Sequence, residues 1–456
     1  MTLFRPGLQS SRYPNAPPGL VFPGDHGVAY GGFSDEWKNV EPRVGIAWQP
    51  AKLRNTSIRA GFGIFISPNM LNDYPHSADG APFSPQFFLT PGPGLGPYID
   101  LTNPFANFAG TGGKFPFPPF ACPTCVPAST ATFALPVTLQ DNFDEHFTLG
   151  KTQAWNLSIE RQIGATLVVK AAYIGRESYH LQSPWELNPG IYSAQGVRTK
   201  YTNFGPITTN VAWSTGSYNG FQIEVDKRLT HGLQFNSNYS HSKAIDTSSL
   251  GTTSYTSALG DPFDLRWNRG ISDLNFPNIW SNRLVYETPG LSSLGAVGSS
   301  ILGKWQLSGV WQLNSGTPFS IVGGFGNNNS LAQIGADRAD LTGQPFLVHK
   351  GSKSHWIQQY FNPNAFVPNA PGTFGTSPRN VLAGPGNNNA DLALAKNIPF
   401  HDHYIFQLRW EAFNAFNRVD FGLPQRDPSA PGFGQIVSTG SASSARVMQL
   451  AGKLNW

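Results

Sequence analysis

Short stretches in which apolar and polar residues alternate at every second position recur about eleven times along this chain. The stretch Lys304–Asn314 is the clearest: Trp305, Leu307, Trp311 and Leu313 share one side, with Gln306 and Gln312 on the other. A period of two places successive side chains on opposite faces of an extended strand. The same pattern runs through Val44, Ile46 and Trp48, then Ile58, Ala60, Phe62, Ile64 and Ile66. It returns with Trp155, Leu157 and Ile159 opposite Asn156, Ser158 and Glu160, and with Leu167, Val169, Ala171 and Tyr173 backed by Lys170. Further stretches are Phe221–Asp226, Leu233–Ser240, Trp280–Tyr286, Asp391–Ala395, Ile405–Glu411 and Met448–Trp456. Glutamine, asparagine, serine and charged residues recur at the alternate positions, and no stripe at helical spacing persists.

One such strand fits a soluble sandwich as well as a membrane wall. The connections discriminate between them. Short ones fall near 50–56, 163–165, 229–232, 289–302 and 399–403, and long ones near 68–149, 177–216, 245–276, 323–386 and 419–443. Short turns at one end and long loops at the other are the pattern of outer-membrane barrels, whereas a sandwich mixes lengths at both ends. A loop as long as 68–149 also argues against a compact soluble domain. Composition agrees: charged residues are only 13% and hydrophobic residues only 39%, a pairing that suits a wall alternating between lipid and a polar lumen. The sequence predicts an all-β fold, an antiparallel transmembrane β-barrel represented in part, with about eleven strands of a 22-stranded barrel. An odd number of strands is itself a sign of a partial barrel, because bacterial single-chain barrels have even numbers.

The net charge of +4 is too small and dispersed to predict nucleic-acid binding. No signal-peptide core follows Met1, and no apolar run reaches the length of a membrane helix, so the chain reads either as cytosolic or as lacking its N-terminal region. Cys122 and Cys125 stand as Cys-Pro-Thr-Cys in a proline-rich loop; a loop disulfide, free thiols, and metal or redox chemistry are all open readings. No phosphate-binding loop, zinc-protease or serine-hydrolase motif is present. The acidic pairs Asp261 with Asp264, and Asp141 or Asp144 with Glu145, lie in loops without the rigid scaffold that a carboxylate pair needs for glycoside chemistry. No enzymatic activity and no cofactor are expected. The polar positions of the strands predict a lumen-facing set of Arg59, Asn156, Glu160, Lys170, Gln222, Glu224, Asp226, Asn236, Asn238, Gln306, Gln312, Arg409 and Glu411.

Several phrases carry a family resemblance. Glu41-Pro-Arg-Val-Gly-Ile-Ala-Trp48 with Arg59-Ala-Gly-Phe-Gly-Ile-Phe65 resembles the C-terminal half of Oar-like TonB-dependent receptors. So do Trp155–Gln162, Tyr218–Arg228, Ser315-Gly-Thr-Pro-Phe319, Tyr360–Phe366, Gly384–Asp391 and Arg409–Asn417, in order along nearly the whole chain. The resemblance implies a transporter of the Gram-negative outer membrane that binds a solute or polymer and admits it through a lumen filled by a plug domain. It implies residues 1–39 as an extracellular loop segment and 40–456 as the C-terminal part of the barrel. The plug and the segment that engages the TonB energy-coupling complex are absent from this stretch, so coupling is expected only through an N-terminal region not present here. Met448, Leu450, Leu454 and the terminal Trp456 resemble the closing-strand signal read by the barrel-assembly machinery. The expected partners are therefore outer-membrane lipid, that machinery and an unidentified solute or polymer. A structural or adhesive surface protein without transport, and a truncated product without function, are the alternatives.

Overall fold

The computed structural model describes residues 1–34, 37, 39–67, 102, 131, 133, 135–249, 260–291, 293, 295–323, 329–333, 335–347, 352–400, 404–440 and 443–455. Cys122, Cys125, Trp456 and most of 68–130 lie outside them. Eleven strands follow one another in chain order as an antiparallel meander: β1 Arg43–Trp48, β2 Thr56–Ser67, β3 Gly150–Ile163, β4 Leu167–Glu186, β5 Phe204–Thr230, β6 Leu233–Asp246, β7 Asn278–Glu287, β8 Trp305–Asn314, β9 Asn387–Phe400, β10 Tyr404–Phe413 and β11 Val447–Asn455. All eleven stretches of two-residue alternation are strands. The sheet is open in the described residues: β1 and β11 form its two edges.

The tight connections carry the residues that such turns require. Between β5 and β6, His231 and Gly232 have φ of 50° and 78°. Positive φ at both central residues gives the turn a twist that matches the flanking strands. Gly164 opens the turn between β3 and β4 at φ 62°. The link at 289–302 is not the plain loop predicted: Gly295–Leu302 is a helix, α1. At its end, the Ile301 carbonyl accepts from Trp305 Nε1 at 2.9 Å, and the Ile301 and Gly303 carbonyls accept from Lys396 Nζ. Cations suit the electronegative C-terminus of a helix.

The long connections differ more from expectation. Strand pairing extends through 178–186 and 204–216, so the loop predicted at 177–216 shrinks to 187–203. A register irregularity between Ser178 and Leu181 lets the two strands bend there. Asn387–Asn389 lie in β9 opposite Asn314–Gln312. The remaining loop residues fold on one another as a layer with cores of its own. Phe4, Tyr13, Leu20 and Phe22 pack with Ala131, Val137, Leu139, Phe204 and Ile207. Phe319, Ile321, Tyr360, Phe361, Phe366, Leu382 and Ile436 form a second core between the 315–386 and 414–446 connections. These cores escape sequence periodicity because their members come from distant, irregular segments.

Among the described residues, the meander has no second layer below those cores. Its strands' main contacts are with their neighbours in the sheet. Large apolar side chains along it stay exposed: Ile46, Phe62, Leu157, Tyr173, Phe221, Trp280, Leu307, Leu408 and Leu450 are each more than a third accessible. A contiguous apolar surface of this extent is not tolerated in water. Gly175 shows how closely that surface is packed across strands. Trp155 lies directly opposite, and a Cβ added at Gly175 would come within 2.3 Å of its indole.

Candidate functional site

Register fixes which side chains share a face, because residues directly opposite across a ladder point the same way. Ile46 faces Ala60, Ala60 faces Leu157, and Leu157 faces Tyr173. Tyr173 then faces Phe221, and Ile223 on the same strand faces Tyr239. Tyr239 faces Trp280, Tyr286 faces Leu307, and Leu307 faces Leu394. Leu394 faces Trp410 and Trp410 faces Leu450, which completes an apolar face from one edge of the sheet to the other. Met448 and Leu454 on β11 lie on this face, opposite Ala412 and Phe406.

The opposite face carries most of the polar and charged positions. Arg59 faces Ser158; Glu160 faces Lys170; Lys170 faces Glu224; Glu224 faces Asn238. Gln312 faces Asn389, Gln306 faces Ala395, Ala395 faces Arg409, and Glu411 faces Gln449. Following the ladders, all thirteen predicted polar positions, with Asn156, Gln222, Asp226 and Asn236 among them, fall on this one face. The predicted set omits Arg283, Glu287, Asn389, Asp391, Gln407 and Gln449, which share the face. The same two-residue step along each strand reaches every one of them.

These groups pair laterally. Lys170 Nζ is 3.9 Å from Glu224 Oε2, and Arg59 Nη1 is 4.0 Å from Glu160 Oε2. Asn236 Nδ2 donates to Glu224 at 3.3 Å and to Asp226 at 3.2 Å, and Gln306 Nε2 donates to Glu287 at 2.9 Å. Arg409 and Gln449 both bind Glu411. Exposed pairs of this kind contribute little to stability, because water and salt screen them. Their consequence is a neutralised, hydrogen-bonding surface rather than a rigid chemical centre.

Several buried charges lie at the loop end of the sheet. Glu186 lies 3.4 Å from Arg198, and its Oε1 accepts from the Asn188 and Ile207 amides at 2.8 Å. Burial raises the Glu186 pKa, with those donors and Arg198 opposing. Asn188 donates to the Tyr201, Phe204 and Gly205 carbonyls, stitching the 187–203 connection shut. Arg379 binds the Asp246 carboxylate at the end of β6, and also the Asp246 and Ile271 carbonyls. Burial pushes Arg379 down to about 10, so it stays a cation at neutral pH. Arg379→Leu leaves Asp246 buried without its cation and is expected to cost about 3–5 kcal/mol of local stability. Faster hydrogen exchange at 244–247 and 270–273 would show it, and unchanged exchange there would contradict it.

Arg338 stacks on Trp267 at 4.6 Å and donates to the Trp267 carbonyl at 3.0 Å. It is 5% exposed, and its Nε and Nη1 meet no acceptor. Asp261, Asp264 and Asp144 hold turns. Asp261 Oδ1 accepts from the Phe263 amide at 2.8 Å, Asp264 Oδ1 from the Arg266 amide at 3.0 Å, and Asp144 Oδ1 from the His146 amide at 2.8 Å. Glu145 lies 4.0 Å from Arg5.

The profile of the outer membrane beta barrel domain matches residues 1–449. The chain belongs to the outer-membrane β-barrel domain family. Its place is the outer membrane, and the apolar face described above has the chemistry of a barrel's lipid-facing side. A search of curated proteins found no match. Among solved structures, it is similar to the outer membrane transporter YddB from Escherichia coli, at 11% identity and a TM-score of 0.45 over 91% of this chain and 40% of that one. It is similar to the siderophore receptor PiuA from Acinetobacter baumannii at 8% identity and a TM-score of 0.40, over 91% and 35%. The FrpB iron transporter from Neisseria meningitidis matches at 12% identity and a TM-score of 0.40, over 92% and 39%. The chain thus spans about two fifths or less of the length of the solved structures it matches.

Proposed function

We propose that this chain forms the wall of an outer-membrane uptake receptor. The apolar face meets hydrocarbon, and the thirteen polar positions with their neighbours line the solute's path. The long connections stand outside the cell and gather the solute or polymer. The observation that supports this reading is the continuity of one mainly apolar and one mainly polar face across eleven strands, with no second layer among the described residues below the loop cores.

Cysteine accessibility tests the wall. With Cys122 and Cys125 replaced by serine, a membrane-impermeant maleimide should modify Asn238→Cys, Gln306→Cys and Arg409→Cys in membranes, and spare Leu157→Cys, Leu307→Cys and Leu408→Cys. Equal modification of both sets sinks the assignment of faces.

We assign β11 and the residue after it to recognition by the barrel-assembly machinery. Met448, Leu450 and Leu454 present an apolar edge strand, and Trp456 supplies its aromatic end. Trp456→Ala is expected to lower the amount of chain assembled in the outer membrane several-fold while leaving synthesis unchanged. Normal assembly of that variant, measured by protease resistance of intact membranes, would count against the assignment.

A further inference from the structure

Within the apolar face, two polar side chains lie together in a hollow. Ser237 on β6 and Asn282 on β7 are directly opposite each other among tryptophan, phenylalanine and leucine. Next to them, Gly309 on β8 faces Leu284 and leaves the floor without a side chain. The result is a notch of about 300 Å³ whose walls include Phe235, Trp280, Leu307, Trp311 and Leu392. That is far more than one water needs.

Hydrogen bonds in the notch run in one direction. Trp280 Nε1 can only donate, and it donates to Ser237 Oγ at 2.9 Å. Ser237 passes its own proton to Asn282 Oδ1 at 2.7 Å. This leaves Asn282 Nδ2 buried with no acceptor. Turning the amide over is worse, because the Ser237 proton and the Asn282 carbonyl would then both lack partners. The notch therefore asks for an acceptor oxygen at the end of an apolar body.

Its depth identifies the source of that oxygen. Trp280 and Trp311 stack at 6.3 Å, Trp311 Nε1 donates to Asn388 Oδ1 at 2.8 Å, and Tyr239 Oη donates to Asn278 Oδ1 at 2.7 Å. Aromatic rings whose polar tips are bonded mark the level of a membrane interface. Asn282 lies two residues from Trp280 toward the middle of the wall, about 7 Å along the strand and about 5 Å deeper at the tilt of barrel strands. Acyl-ester carbonyls sit at the boundary between headgroups and hydrocarbon.

We propose that this notch holds one acyl chain of a membrane glycerolipid, with its ester carbonyl accepting from Asn282 Nδ2. The inference rests on the assignment of this face to lipid. Gly309 provides the space, the two indoles flank the chain, and the amide selects an ester over a plain hydrocarbon.

The test places the full chain, co-refolded with complementary strands that close its sheet, in phosphatidylcholine bilayers containing lipid brominated near the head of the acyl chain. The brominated lipid is supplied as the diester and as the diether analogue, which lacks the carbonyl, and tryptophan quenching is followed. In the wild type, the diester should quench one component at about ten-fold lower lipid fraction than the diether, the scale of one hydrogen bond. Asn282→Leu should remove that difference. Gly309→Ala, whose Cβ would come within 2.7 Å of Leu392 Cδ2, should weaken the saturable component for both lipids. Identical diester and diether curves in the wild type overturn the lipid site and leave the assignment of faces standing. Absence of quenching by either lipid overturns that assignment, and the site with it.

Discussion

Leu157→Arg is expected to cost about 2–4 kcal/mol of stability in the membrane, and Asn156→Arg less than about 1 kcal/mol. The two residues are neighbours on β3 with opposite faces. Leu157 stands between Ala60 and Tyr173 on the apolar face, and Asn156 between Gly61 and Ile174 on the polar one. Leu157 is 47% exposed on the chain alone. On a water-facing sheet, an arginine at such a position would be neutral or favourable. In hydrocarbon it must lose its hydration or drag water in, and the chain carries no acid on that face beside it to pair with. The sign of the change at Leu157 therefore reports the solvent of the face. Denaturant unfolding from lipid vesicles, with the sheet closed by complementary strands, would measure it, and equal cost at both positions would refute the two-faced wall.

The wall was legible in the sequence because its physics is local. In β8, six successive residues from Trp305 suffice to show the alternation, and adjacent strands repeat it in matching register. Even Asn282, an apparent break in the alternation of β7, stays on the face that its position dictates. The loop layer was not legible, for the opposite reason. Phe4 takes its place against Phe204 at a ring separation of 5.0 Å, and Arg379 reaches Asp246 across more than a hundred residues. No period links such residues, and glycine and proline around them signal turns without saying what the turns enclose. The extension of β4 to Glu186 was hidden as well. His180 adopts φ 56° at the irregularity, and Pro184 follows, so the strand passes through residues that normally end one. The polar face occupies a middle position. Its members were readable one by one, whereas the pairing of Lys170 with Glu224 needed the register of two strands.

The edges of the sheet lead to the largest expected effect. Every step from β1 to β11 is antiparallel, so across eleven strands the two edges point the same way. Curling the sheet until β1 meets β11 would make a parallel seam, whose hydrogen bonds are slanted and less stable than those of the ladders already present. That seam would also match a six-residue strand to a nine-residue one. Joining two copies in the same membrane orientation repeats the problem, because β11 of one copy would again run parallel to β1 of the other. Left open, the edges expose unpaired backbone groups that cost several kcal/mol each in hydrocarbon. Antiparallel pairing at both seams requires an odd number of additional strands, the first and last of which run opposite to β1 and β11. This chain refolded alone in detergent is therefore expected to show the same gel mobility before and after boiling. Co-refolding with an odd set of complementary strands should produce a heat-modifiable band. A heat-modifiable monomer from this chain alone would show that the sheet closes on itself and that the parallel seam is tolerated.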